Sequence, residues 1–173
     1  MPKKIIKFIF FISFVFSIWW GYLHVYGNFH KVDENVYRSA QLYFFNMPYY
    51  IEKYNIRTII NLKPKIDKYE KKFVKENNIT YIHFVLSDSK EVSLDKMKQL
   101  SKLIKEAPKP VLIHCFAGAD RTSLATAIYL YDINNSNYKN AFDFIPYGHF
   151  PWFGSKTKAM DNSFKKYIKK DNF

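Results

Sequence analysis

From residue 35 onward the chain alternates two hydrophobic patterns. Arg57–Lys63 (RTIINLK) is a short, β-branched apolar run closed by Pro64, which predicts a buried strand. Thr80–Leu86 (TYIHFVL) and Val111–Cys115 (VLIHC) repeat that pattern. Between these runs the apolar period lengthens. Ile66, Tyr69, Phe73 and Val74 recur at helical spacing within Lys65–Asn78. Leu94, Met97, Leu100, Leu103 and Ile104 form one stripe, which Ser93 can cap and which Pro108 and Pro110 end. Phe44–Ile56 and Thr122–Tyr131 also read as helices, and Asn35–Gln41 as a short strand or turn. Two more helices are expected near Tyr138–Phe144 and Asn162–Lys169. Strands that alternate with helices predict an α/β fold, a central and mostly parallel sheet flanked by helices. Ligands of such sheets sit just beyond the strands' C-terminal ends, and the last strand ends at Cys115.

The N-terminus follows a different pattern. Lys3, Lys4 and Lys7 precede an apolar run from Phe8 to Tyr26, interrupted by Ser13, Ser17 and His24. Its 19 residues approach the ~20 that cross a bilayer core as a helix. Trp19, Trp20, Tyr22 and Tyr26 cluster at its far end, as aromatic residues do at an interface. The expectation is a transmembrane anchor over residues 1–27 and a folded domain over 28–173. Basic residues ahead of the run keep the N-terminus cytoplasmic. That makes a single-pass protein of the inner (cytoplasmic) membrane, its domain extracytoplasmic, or periplasmic in a Gram-negative cell. A cleaved signal peptide is the alternative, although no small-x-small site follows the run, and a buried soluble helix is the third reading.

Composition narrows the partners. Lys+Arg 27 against Asp+Glu 15 gives a formal net charge of +12. The excess is mostly lysine spread along the chain, with no arginine-rich block and no nucleic-acid motif, so a solvated surface accounts for it and nucleic acid is not an expected partner. The single cysteine excludes an intrachain disulfide, a cysteine-based metal site and any mechanism that needs a second thiol.

That cysteine stands in HCFAGADRTS, His114 to Ser123. A strand stops at Cys115 and a helix starts near Arg121, so the N–H groups between them lack sheet or helix partners. Gly118 lets the backbone curl. Curled, the loop aims several N–H groups at one point, reinforced by the helix dipole, and that point suits a dianion. Arg121 can add a planar fork to two of its oxygens. The same field favours the thiolate form of a cysteine at its base. Cys115 is then placed for in-line attack on phosphorus, with a thiophosphate intermediate that water cleaves. Thr122 can hydrogen-bond the sulfur. The competing reading is a buried structural cysteine.

The string resembles the His-Cys-x5-Arg-Ser/Thr signature of cysteine-dependent protein tyrosine phosphatases, and the short domain resembles their dual-specificity subgroup. VYRSAQL, upstream, is similar to a Tyr-Arg-Ser-Ala segment of bacterial members, and the similarity spans roughly residues 28–164. The resemblance implies Cys115 as nucleophile and Arg121 as phosphate ligand. It also implies a cradle of backbone amides over Phe116, Ala117, Gly118, Ala119, Asp120 and Arg121, with His114 ordering the loop from behind. No metal and no cofactor is implied. Ser123 stands where many relatives have glycine. The family's general acid is an aspartate on a loop ahead of the cysteine. Asp88, 27 positions before Cys115 and directly after a strand, fits that role. Asp95, in the first turn of a helix, is the weaker candidate. Asp120 either shapes the entrance or only complements the helix dipole. Arg38 and Ser39 border the pocket, unless Arg38 is a structural ion pair. His83 and His149 read as packing or surface residues, and the YGHFPWF segment as core. The expected substrate is a phosphorylated protein, phosphotyrosine first and phosphoserine or phosphothreonine with it. The alternative is a phospholipid, an inositol phosphate or an envelope-glycan phosphate handled by the same chemistry. A non-catalytic phosphate-binding scaffold is the reading from another class.

Overall fold

The computed structural model describes residues 3–133, 147–149 and 156–169. Helix α1 (Lys3–Val25) precedes a hairpin strand β1 (His30–Lys31) and β2 (Val36–Ser39). Then follow α2 (Met47–Lys53), β3 (Thr58–Asn61), α3 (Lys68–Glu76), β4 (Thr80–His83), α4 (Leu94–Glu106), β5 (Val111–His114), α5 (Asp120–Asp132) and α6 (Lys158–Lys169). The helix expected near Tyr138–Phe144 lies outside the described residues.

The sheet order is β1-β2-β5-β3-β4. Only the β1–β2 pairing is antiparallel; β2–β5, β5–β3 and β3–β4 are parallel. Residues alternate across the sheet, because side chains of a strand point to opposite faces. Ile60, Val111 and Ile113 join Met97, Leu100, Leu124, Ile128 and Phe164 in one core, covered by α4, α5 and α6. Ile59 and Leu112 join Tyr37, Met47, Ile51 and Val74 in the other, covered by α2 and α3. Strands buried on both faces read as continuous apolar runs, which is why β3 and β5 were legible. The local signals hold too. Asp67 caps α3 by accepting the N–H of Glu70, and Ser93 caps α4 by accepting that of Lys96. Pro48 starts α2, where a missing N–H costs nothing. The parallel register aligns Ser39, His114 and Asn61 at the strands' C-terminal ends, and the signature loop leaves from that row.

The transmembrane anchor is not supported. Among the described residues no helix is long and apolar enough to cross a membrane. The physical reason lies in the run itself. After the three lysines, its strongly apolar part is Phe8–Ile18, about 16 Å of helix against a bilayer core of ~30 Å. Of the eight residues that complete the run, four are Trp or Tyr, which belong to the interface, and Gly21 and His24 are not strongly apolar. The single-pass, inner-membrane placement and the extracytoplasmic orientation drawn from it fall with the anchor. The helix joins the domain at its C-terminal end, where Asn46 Nδ2 donates to the Val25 carbonyl at 3.1 Å and the Ala40 N–H to the Gly27 carbonyl at 2.7 Å.

Candidate active site

The loop from Cys115 to Ala119 bonds all its carbonyls outward. His114 Nδ1 lies 3.1 Å from the Cys115 carbonyl. The Phe116 carbonyl accepts the Gln41 N–H at 3.0 Å, and that of Ala117 accepts Asn28 Nδ2 at 3.0 Å. The Gly118 carbonyl accepts Arg38 Nη2 at 2.6 Å, and that of Ala119 accepts the Ser123 N–H at 2.9 Å, the first bond of α5. A peptide whose C=O points out turns its N–H in. Among the described residues, the N–H groups from Phe116 to Arg121 donate to no protein acceptor. They form a concave nest at a helix N-terminus, the arrangement that binds an anion. Gly118 makes the curl possible. Its φ is +70°, and a Cβ there would lie 2.5 Å from the Ala40 nitrogen and 2.6 Å from the Ser39 carbonyl carbon. Only glycine lets the loop press on β2.

Cys115 sits at the base, 2% exposed. Arg121 is buried with it, and its Nε has no hydrogen-bond partner among the described residues. Arg121 lines a cavity of about 360 Å³ with Lys63, Pro64, Lys65, Asp88 and Phe116. The structure therefore brings Asp88 and Arg121 to one pocket, which Phe116 of the loop also lines. Asp95 is exposed in the first turn of α4 and does not line it. Ala117 and Ala119 shape the backbone cradle, and Asp120 opens α5. Thr122 is fully buried, and its hydroxyl has no hydrogen-bond partner among the described residues, the sulfur included.

Three residues add to or depart from their sequence reading. Arg38 goes to the loop: besides Gly118 it donates to Ser123 Oγ at 3.0 Å, and its guanidinium stacks 4.1 Å from the Tyr147 ring centroid. Burial pulls its pKa down to about 10, while the nearby Tyr147 and Cys115 draw it partly back. Ser39 is buried and bonds the Ala40 carbonyl at 2.7 Å. His149 is packed in the interior, but it does more than fill space. It is 2% exposed and bridges two carboxylates. His83 is at the surface, as expected, 2.7 Å from the Lys63 carbonyl.

Behind the cysteine lies a polar group that sequence reasoning missed. Glu70 is 1% exposed, with Oε1 2.8 Å from His114 Nε2. Its Oε2 accepts Asn61 Nδ2 at 3.0 Å and the Tyr81 hydroxyl at 2.9 Å. Burial pushes the Glu70 carboxyl up, but the His114 ring and the Tyr81 hydrogen bond outweigh it and hold it below its ordinary value. Burial, reinforced by Glu70, raises the Tyr81 phenol. The network fixes the His114 ring, and through it the end of β5. The signal was present: Glu70 stands three and four positions before Phe73 and Val74, on the apolar face of its helix, where a carboxylate needs partners.

The matching family model is that of the tyrosine phosphatase family, over residues 25–170. The chain belongs to that family. Among curated proteins, it is 32% identical over 101 residues to an inositol diphosphatase from Oryza sativa subsp. japonica, a match covering 55% of this chain and 45% of the relative. The chain thus spans about half the length of that relative. Among solved structures, TpbA from P. aeruginosa superposes with a TM-score of 0.67 at 16% identity, covering 84% of this chain and 92% of TpbA. The core catalytic domain of the PP-IP phosphatase SIW14 from S. cerevisiae gives 0.65 at 21% identity, covering 84% and 93%. These two likenesses establish a shared fold.

Proposed function

We propose that residues 28–173 form a phosphatase domain that hydrolyses phosphate monoesters through Cys115, preferring a substrate with more than one phosphate group, of the inositol phosphate class. The observation that carries the chemistry is the nest of unpaired N–H groups around a buried cysteine. In the first step the Cys115 sulfur attacks phosphorus, the P–O bond to the alcohol breaks, and Asp88 gives its proton to the departing oxygen. The nest and Arg121 hold the three equatorial oxygens as charge shifts onto them. In the second step water attacks the phosphocysteine, Asp88 takes a proton from that water, and inorganic phosphate and the thiolate are released.

The substrate class rests on the pocket wall. Lys63 and Lys65 flank Pro64 beside Arg121, so three cationic side chains line one cavity. Burial lowers the Lys63 pKa, but Glu70, Asp67 and Cys115 oppose the shift. A lone phosphotyrosine needs no such surplus. The lysines come from the β3–α3 loop rather than from the signature, which holds none. The rice relative's name, inositol diphosphatase, agrees with this reading. Phosphotyrosine is the second reading, favoured by Phe116, exposed on the same wall where it can stack on an aryl ring.

The test is phosphate release by the full chain from an inositol polyphosphate, a phosphotyrosine peptide, a phosphoserine peptide and a phosphoinositide vesicle, with Cys115→Ser as blank. The inositol polyphosphate should turn over fastest. Lys63→Ala with Lys65→Ala should cut its kcat/KM about tenfold or more while changing that of a simple aryl phosphate less than about threefold. Faster turnover of peptides, insensitive to the lysines, would reject the substrate class and leave the chemistry.

A further inference from the structure

His149 belongs to no motif, yet it makes two contacts that matter for the loop. Its Nδ1 lies 2.6 Å from Asp120 Oδ1, and its Nε2 lies 3.2 Å from Asp161 Oδ2 in the first turn of α6. Asp120 is the first residue of α5 and the neighbour of Arg121. The His149 side chain is 3% exposed, that of Asp161 9% and that of Asp120 25%. Residues 147–149 also reach the loop from outside by other routes. Tyr147 covers the guanidinium of Arg38, which bonds the Gly118 carbonyl. The Tyr147 carbonyl shares Asn28 Nδ2 with the Ala117 carbonyl.

An acidic residue at this position poses an electrostatic problem. A carboxylate at the start of α5 suits the helix dipole while the nest is empty. Once a dianion enters, the same carboxylate repels it, and low-dielectric surroundings amplify the repulsion. A cation bonded to Asp120 and anchored to Asp161 solves the problem. It cancels the carboxylate's charge and directs that group toward α6.

We propose that His149 is a positioning residue of the phosphate loop, whose cation neutralises Asp120 and ties it to Asp161, so that an incoming phosphate meets the nest without a competing carboxylate. The proposal takes from the functional reading only the place where the anion binds. Its test therefore uses inorganic phosphate as the probe, by calorimetry on the full chain, beside kcat and KM for an aryl phosphate.

His149→Gln keeps a polar side chain and loses the charge; it should weaken phosphate binding about tenfold and raise KM with a smaller change in kcat. Asp120→Asn should bind phosphate about threefold tighter than the parent. The double variant should return to within about twofold of the parent, because both charges leave together. A structural role alone predicts no such rescue. A double variant as weak as His149→Gln would overturn the proposal, as would a His149→Gln protein that binds phosphate normally. If His149→Gln does not fold, Asp120→Asn decides: weaker phosphate binding in that variant would overturn the proposal, and tighter binding supports it. Absence of turnover by a parent that binds phosphate would count against the functional reading and leave the binding cycle intact.

Discussion

Replacing Gly118 by alanine adds one methyl group and tests how the nest is built. The new Cβ would lie 2.5 Å from the Ala40 nitrogen, 2.6 Å from the Ser39 carbonyl carbon and 2.7 Å from the Ser39 oxygen. These are backbone atoms of β2 and its exit, and no rotamer change relieves them. The left-handed φ of +70° adds about 1–2 kcal/mol for a residue with a Cβ, and overpacking adds about 1–3 kcal/mol. The expected loss is therefore about 2–5 kcal/mol. At a urea slope of about 2 kcal/mol/M, the unfolding midpoint should fall by about 1–2.5 M. Relief requires the loop to move by roughly 1 Å away from β2, a misplacement that costs about a hundredfold in rate. The same movement strains the Arg38–Gly118 and Gln41–Phe116 bonds that turn the carbonyls outward. Urea unfolding and kcat/KM for an aryl phosphate measure both effects. Gly21→Ala is the control, since a Cβ there meets nothing within 4 Å and alanine favours a helix. An alanine at 118 that leaves the midpoint unchanged and kcat/KM within about threefold of the parent would refute the account of the loop.

Arg38→Met should destabilise the fold by about 2–4 kcal/mol, because the Gly118 carbonyl and the Ser123 hydroxyl lose a buried, charge-assisted donor; thermal unfolding checks it. Glu70→Gln removes the carboxylate facing His114, Asn61 and Tyr81 and should cost about 1–3 kcal/mol. Since the Glu70 carboxyl is held below its ordinary value of 4.5, its contribution is present above about pH 4.5 and lost as pH falls below it, so urea midpoints of parent and variant should converge in acid. His149 has its pKa raised from 6.5 to about 9: burial alone would lower it, but the hydrogen bonds and charges of Asp120 and Asp161 prevail. The rise corresponds to about 3 kcal/mol, fully present below pH 6.5 and lost as pH climbs through 9. Stability of the parent should therefore fall over that window, and that of His149→Gln should not. Asp88→Ala should slow phosphate esters of poor leaving groups far more than an activated aryl phosphate; equal slowing of both would remove Asp88 from the acid's role.

The sequence by itself determined the alternating layers, because a strand buried on both faces is a continuous apolar run and a helix on the sheet carries an apolar stripe. It also marked the candidate site, because His114–Ser123 combines a strand end, a glycine and a helix start within ten positions, all of them local. It misjudged α1, where the count of apolar and aromatic residues reached a membrane span but the strongly apolar part is too short. Tertiary structure decided what local pattern cannot carry. Asn28, Arg38 and Gln41 reach the loop from more than seventy positions away and turn its carbonyls outward. Glu70 is a buried partner of His114 only because β3, β5 and α3 meet there. Lys63 and Lys65 become a pocket wall because β3 ends beside β5. His149 finds Asp120 and Asp161 only when α5 packs on α6. Periodicity records which face of each element is buried. A charge or hydrogen-bond partner is chosen by distance in three dimensions, and one sequence holds no trace of that distance until the sheet order brings the ends of its strands together.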